Sequence, residues 1–455
     1  MYRIEGNDKT TRLLILLFVF SLLFDGVFRK WFLVPFSTQL MMIKQVLAIL
    51  ICVFNVNMYM EMTRWEKSIV LIGILAFLTT LMFGHHNITV AIYGCLPLWF
   101  GMPLCFIIGR KLQSADIVFI LKLVVYAGLI NSVLMILQFN VSPSHILNFT
   151  GGDENAGLST MMVSEMAGTF RPSGLFVYNT HSNLFMLTNF SIVLYMLVSN
   201  TNIINRKLIF LSLILELFAC VCSASRTCIM LHIGVFVFFL FYCIGSRDRS
   251  KMLNLLVYII PMLILLTFSK LGSSAINNVS KRFDEASRVQ YGKVSTSEGT
   301  LNDIFYRNIW YNVDAVLDPH TIDGNSVPFW GYGQGMSTQI GGKLLNVKSG
   351  RSGFALAEWD GLRIMCESGY ILGWLILFIR LGYVFRFIPH LAFYKKENQF
   401  LTLSLFLPFL LSFYLLNTWG NVFLANYAFF AGGLFLSVSM KEKQINNFIL
   451  RNNEN

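Results

Sequence analysis

Outside two long connections, this chain enters a run with almost no charge about every twenty to forty residues, and the recurrence of such runs limits its fold more than any motif. Crossing the hydrocarbon of a bilayer takes about 20 mostly apolar residues as a helix, because every backbone amide must be satisfied within the segment. The runs fall near 12–28, 38–58, 67–84, 90–109, 116–138, 183–199, 207–223, 227–245, 252–269, 362–384, 399–416 and 421–439. The expected fold is therefore all-α and polytopic, with about twelve transmembrane helices. The composition agrees, with 55% hydrophobic residues, 13% charged residues and 42 Phe in 455 positions. The first run carries Asp25, lacks a small-residue cleavage site and is followed by further runs, so it reads as a span and not as a cleaved leader.

Orientation follows from Lys and Arg in short connections. With the N-terminus in the cytoplasm, Arg3, Lys9 and Arg12, Arg64 and Lys67, Arg110 and Lys111, Arg206 and Lys207, Arg247, Arg249 and Lys251, Arg386, Lys395 and Lys396, and Lys441, Lys443 and Arg451 all fall on the inner side. Both termini are then cytoplasmic. The net charge of +11 is mostly membrane-flanking and faces anionic lipid headgroups, so membrane lipids are expected partners and nucleic acid is not. The eight cysteines lie in or near the spans and read as small buried hydrophobes, with neither disulfide framework nor metal-ligand spacing. No metal or cofactor is expected.

Three regions result: a bundle over 1–269, a large external loop over 270–361, and a second bundle with a cytoplasmic tail over 362–455. The first bundle includes a smaller external loop at 139–182. A loop of about 90 residues needs its own structure or a function. Its stretch LNDIFYRNIWYNVDAVLD (301–318) has apolar residues at helical spacing and predicts an amphipathic helix with Arg307 at its polar margin. PFWGYGQGMSTQIGG then reads as a tight, mobile glycine loop; it is not a Walker A motif.

Arginines mark the same outer face: Arg171 in GTFRPSGLF, Arg226 in SASRTC, Arg307 in the loop helix and Arg363 in AEWDGLRIMCESG. Arg226 interrupts two apolar runs and belongs at the membrane surface. It either snorkels to lipid phosphates or joins Arg171 and Arg307 in binding a phosphate or pyrophosphate with planar, permanently charged forks. Asp360, Arg363 and Glu367 have the spacing of a helix-start network, whereas Glu358 has no such local partner and is the first choice for accepting a proton from an attacking sugar hydroxyl. Of the histidines, His181 alone follows an arginine motif. Asp25, Arg29 and Lys30 in LLFDGVFRKWF pair or snorkel, or line the same cavity.

The order of these pieces resembles the O-antigen polymerase and O-antigen ligase superfamily of bacterial envelope glycosyltransferases. The likeness lies in ten or more spans, GTFRPSGLF at 168–176, SASR at 223–226, a large external loop with an arginine helix, GYGQG at 331–335 and AEWDGLRIMCESGYILG at 357–373. FDGVFRKW also resembles a subgroup of polymerases. The resemblance implies a GT-C-like membrane fold in the bacterial inner membrane, a periplasmic site, and sugars linked to undecaprenyl pyrophosphate as substrates. It implies that Arg171 and Arg226 hold pyrophosphate and that Arg307 assists; Asp360, Arg363, Glu367 and His181 are read from their own positions as residues that bind substrate or support those that do. Ligases of this superfamily carry a catalytic His in the slot that Glu358 fills here. That departure favours a polymerase, with a chain-length regulator as partner.

The mechanism expected is glycosyl transfer without metal: arginines offset charge on the departing pyrophosphate and Glu358 orients or deprotonates the acceptor hydroxyl. Transfer to a lipid A core by a ligase is the nearest alternative. A lipid-linked oligosaccharide flippase is the rival from another class, since intramembrane Arg and Asp also line transport pathways.

Overall fold

The computed structural model describes residues 5–149, 171–199, 201, 203–245, 249–291, 311–320, 326–338, 341, 344–345, 360–392, 400–414 and 422–454. Each apolar run falls on a helix, and no strand is present among these residues. The helices are α1 (Glu5–Val27), α2 (Ser37–Phe54), α3 (Arg64–Phe83), α4 (Ile88–Lys111), α5 (Ser114–Asn140), α6 (Asn179–Val198), α7 (Arg206–Cys222), α8 (Arg226–Gly245), α9 (Arg249–Phe268), α10 (Lys270–Tyr291), α11 (Tyr311–Leu317), α12 (Asp360–Ala392), α13 (Phe400–Tyr414) and α14 (Val422–Glu454). Among the described residues, eight helices are long and apolar enough to cross a membrane, or nine if the bent pair Leu255–Phe268 and Lys270–Lys281, which meet at 80°, is one span.

Their surfaces fit a lipid solvent. Leu13, Leu17 and Phe20 on α1, Leu71, Leu75 and Leu78 on α3, and Val257, Ile260 and Ile264 on α9 are exposed, where a helix in water would turn such a row inward. The centre is α6, in which every residue from His181 to Val198 is buried. Against it packs α13, and α14 packs in turn on α13 and α4: Gly432 and Gly433 of α14 meet Cys105 and Ile108 of α4, while Gly101 and Gly109 of α4 meet Phe429 and Leu436. An added Cβ at any of these glycines would lie within 3.0 Å of its neighbour, so their absence of a side chain sets the close approach of the two helices.

The two ends of the bundle differ in chemistry. At one end, basic side chains fasten the short connections: Arg12 pairs with Asp116 at 2.7 Å, Lys111 with Asp8 and Arg110 with Glu61, and Lys441 donates to the carbonyls of Arg110 and Leu112. At the other end, where α1, α3, α5 and α7 finish, the connections fold inward. This loop end carries the candidate site.

One reading needs correction. Hydropathy makes 362–384 a single uninterrupted span, but α12 doubles back. Residues 20 apart on a straight helix are about 30 Å apart, yet Arg380 Nη2 lies 3.1 Å from Asp360 Oδ2. The turn is Gly369, with φ 74° and ψ −173°, and Gly373 then packs against Met365 across the hairpin. Such a backbone conformation is open almost only to glycine, and a window average over apolar residues does not register it.

Candidate functional site

The loop 171–178 lies within the bundle and has no regular secondary structure. Backbone of this kind is tolerated at membrane depth only where protein groups satisfy it, and here side chains do so. Gln138 Oε1 accepts from the amides of Ser173 and Gly174, at 3.1 and 2.8 Å, and Asn131 Oδ1 from that of Leu175, at 2.9 Å. Lys30 Nζ donates to Ser173 Oγ, the Gly174 carbonyl and the Phe176 carbonyl at 2.9–3.1 Å. Pro172 has no amide to satisfy, and Gly174 sits at φ +59° with its Cα facing Asn131.

FDGVFRKW thereby gains a role. The π-turn Phe28–Phe32 that ends the first span turns Arg29 and Lys30 inward, and both are buried, so neither snorkels. Asp25 pairs with Lys44 at 2.5 Å and with Arg29 at 3.4 Å. Gly26 lets the Leu175 carbonyl approach, since a Cβ there would lie 2.1 Å from its oxygen. The motif is the seat of the Arg171 loop.

A second turn meets the first. Ser223–Ser225 joins α7 to α8, with Ala224 at φ 47°. Ser225 Oγ accepts from the Cys228 amide and caps α8, and Asn183 Nδ2 donates to the same oxygen at 3.0 Å. Asn179 Nδ2 donates to the Pro172 carbonyl at 2.6 Å and to the Ser223 carbonyl at 3.4 Å. One amide at the start of α6 thus joins the turn that carries Arg171 to the turn that carries Arg226. Arg171 is half-buried and Arg226 exposed. A cation in the first turn of a helix opposes the macrodipole, at roughly 0.3–1 kcal/mol; together with the α8 amides it concentrates positive charge in a way suited to an anion. His181, two residues after Asn179, is buried and stacks on Phe423 with ring centroids 4.1 Å apart.

The remaining candidates gather elsewhere. The glycine loop 329–337 lies across the Gly369 turn: the amides of Tyr332 and Gly333 donate to the Cys366 and Glu367 carbonyls at 2.8 and 3.0 Å, and Tyr370 N donates to Phe329 O at 3.0 Å. Gln334 N donates to Thr80 Oγ1 at 2.9 Å, and its carbonyl lies 2.9 Å from His85 Nε2. That acceptor assigns the proton to Nε2 and leaves Nδ1 to accept from the Asn87 amide. Far from being mobile, the loop is fixed to α3 and α12. Glu367 Oε1 accepts from the Ser337 amide at 2.9 Å, and Arg363 donates to the hydroxyl and carbonyl of the same Ser337. Arg363 and Glu367 therefore act through the loop they hold. Burial raises the Tyr332 phenol above its ordinary value.

Asp360 pairs with Arg380, not within the first turn of its own helix, and Arg380 also donates 2.5 Å to the Phe413 carbonyl at the end of α13. Beside this pair, between α11 and α12, is a cavity of about 200 Å³ lined by Val316, Trp374, Leu377, Phe378 and Leu381. Arg171, Arg226 and His181 thus share the start of α6, while Asp360, Arg363 and Glu367 share the α12 hairpin. The two groups flank the ends of α13 and α14, where Phe413 meets Arg380 and Phe423 meets His181. Glu358 and Arg307 lie outside the described residues.

Sequence reasoning missed Arg380, Lys44, Gln138, Asn131 and Asn179. An arginine in the middle of YILGWLILFIRLGY was itself a signal, since charges inside spans default to a functional or pairing role. The cysteines are all buried and free, but Cys220 and Cys228 converge with His232. Comparison with protein-family models, curated proteins and solved structures finds no match to this chain.

Proposed function

We propose that this chain is a bacterial inner-membrane glycosyltransferase of the O-antigen polymerase type. In this reading it crosses the membrane twelve times in a GT-C-like fold, with both termini cytoplasmic and the loop end periplasmic. It moves a glycan chain from undecaprenyl pyrophosphate to the non-reducing end of another lipid-linked repeat unit.

The observation that carries the reading is the shared amide of Asn179, which joins the Arg171 loop to the Arg226 turn at a helix N-terminus. Two guanidinium-bearing turns there suit a diphosphate headgroup held at the membrane surface, and bidentate arginine contacts are the strong form of such binding. As the sugar–phosphate bond breaks, charge builds on the departing pyrophosphate, and fixed cations stabilise it without reorganising. Glu358, two residues before the buried Asp360, is assigned to the acceptor hydroxyl as base or orienting group. The Asp360–Arg380 pair then anchors the hairpin that follows it.

The test is glycan profiling in a strain that carries only the variant. Arg171→Ala, Arg226→Ala and Glu358→Gln should each abolish long glycan, with single-repeat lipid-linked sugar accumulating and the protein still inserted at normal abundance. Normal ladders from Arg226→Ala and Glu358→Gln would reject the assignment. Long glycan that is made in a deletion strain but never joined to lipid A would move the function to ligase.

A further inference from the structure

Directly below the Arg226 turn, α7 and α8 present four donor-bearing side chains as two i,i+4 pairs: Glu216 and Cys220 on one helix, Cys228 and His232 on the other. The positions i and i+4 share a helix face, so a tight turn between the helices brings both pairs together. All four are buried, none more than 4% exposed. Cys228 Sγ lies 3.6 Å from Cys220 Sγ and 3.7 Å from His232 Nδ1, and the three donor atoms lie within 4.8 Å of one another.

These separations have a chemical meaning. Tetrahedral zinc, with bonds of about 2.3 Å to sulfur and about 2.0–2.1 Å to nitrogen, sets its donors about 3.6–3.8 Å apart. The second ring nitrogen of His232, Nε2, faces Glu216 Oε1 at 3.6 Å, and Asn189 donates to the other carboxylate oxygen. That separation is too long for a hydrogen bond as it stands, but a carboxylate there can take the Nε2 proton once Nδ1 ligates, which makes Glu216 the orienting partner of the bound ring. Without the ion Nδ1 donates to the Cys228 carbonyl at 2.8 Å, so ligation turns the ring toward the two sulfurs and moves its proton from Nδ1 to Nε2, the nitrogen that faces Glu216.

We propose that Cys220, Cys228 and His232 form a zinc site, with Glu216 as the positioning residue for His232. Binding converts two thiols to thiolates and releases two protons to water, so the charge of the ion is balanced by its ligands. That neutrality suits a site in the interior of a membrane protein, where uncompensated charge is costly. Soft thiolates with imidazole select zinc over magnesium or calcium, which prefer oxygen. The ion ties α7 to α8 on either side of Ser223–Ser225 and so fixes the turn that carries Arg226. This assignment is independent of the reaction proposed above.

The full-length protein, purified in detergent without chelator, should contain stoichiometric zinc. After chelator stripping, cobalt should restore binding with an intense thiolate-to-cobalt charge-transfer band in the near ultraviolet. Cys220→Ser and Cys228→Ser should each lower metal content about tenfold or more, while Cys243→Ser, further along α8, retains it. Glu216→Gln should keep the metal with affinity about 10- to 100-fold weaker. A wild-type protein with neither zinc nor a cobalt charge-transfer band overturns the site, and these two readouts do not depend on how any variant folds. Mass spectrometry that finds Cys220 joined to Cys228 as a disulfide in the purified protein overturns it equally.

Discussion

The segment 171–178 is held by four side chains outside it, whereas 329–333 is held by its own main chain against the main chain of α12, and side chains fasten only the residues that follow, Gln334 and Ser337. In the first, Lys30, Gln138, Asn131 and Asn179 each reach an amide or carbonyl of the loop. In the second, the Tyr332, Gly333 and Tyr370 amides pair with carbonyls across the Gly369 turn, and glycines at φ +77°, +107° and +83° shape the loop. Both arrangements satisfy irregular backbone inside an apolar surrounding. They fail differently: the first loosens one side chain at a time, and the second depends on positions where a Cβ does not fit.

The largest effect is expected where a Cβ is forced into the second segment. Gly369→Ala places it 2.2 Å from the Phe329 carbonyl oxygen and 2.6 Å from Gly331 N, at a φ of +74°. Strain and collision together should cost about 4 kcal/mol, at the upper end for single substitutions. Thermal unfolding in detergent reads the loss. Hydrogen exchange should speed up at Tyr332 and Gly333 while Ser173 and Gly174 remain protected. Loss of protection at both segments would mean that they form one unit, contrary to the comparison.

Lys30→Met tests the other side. It removes the donor shared by the Gly174 and Phe176 carbonyls and the Ser173 hydroxyl, and each buried acceptor left unsatisfied costs roughly 1–3 kcal/mol. Part of this returns, because the ammonium is itself 1% exposed and no longer has to be desolvated. A net loss of about 2–3 kcal/mol is expected. Here exchange should quicken at Ser173 and Gly174 and stay slow at Tyr332. Under the proposed function glycan synthesis should fall as well, since the loop carries Arg171.

How far the sequence anticipated this depends on the range of the interaction. Helices at the apolar runs were legible because lipid rewards hydrophobicity locally, residue by residue. Arg171 and Arg226 were legible as charges at run boundaries, but not the amide that joins their turns, since nothing in GTFRPSGLF or SASR names Asn179. Asp360 looked like a helix-start carboxylate because its true partner, Arg380, is brought near only by a reversal at one glycine in ESGY. The cysteine–histidine group escaped notice for the same reason: its spacing makes sense only once α7 and α8 are antiparallel about Ala224.

Ala224→Gly should have the smallest effect and sharpens the comparison most. Ala224 is at φ 47° in the turn before Arg226. For a residue with a Cβ that conformation costs roughly 1–2 kcal/mol, which glycine avoids. Glycine also widens the unfolded ensemble, at roughly 0.4–1 kcal/mol. The sign is thus stabilising, by about 0.5–1 kcal/mol, and the melting temperature should rise slightly. Activity separates two meanings of the strain. If the turn is held by Asn179, Asn183 and Ser225, as its hydrogen bonds indicate, Arg226 stays in place and glycan synthesis is unchanged. A more stable protein with less activity would mean that the alanine side chain keeps Arg226 aimed. The arginine turn would then depend on its own backbone, as the glycine loop does, and the contrast between the two segments would end at this residue.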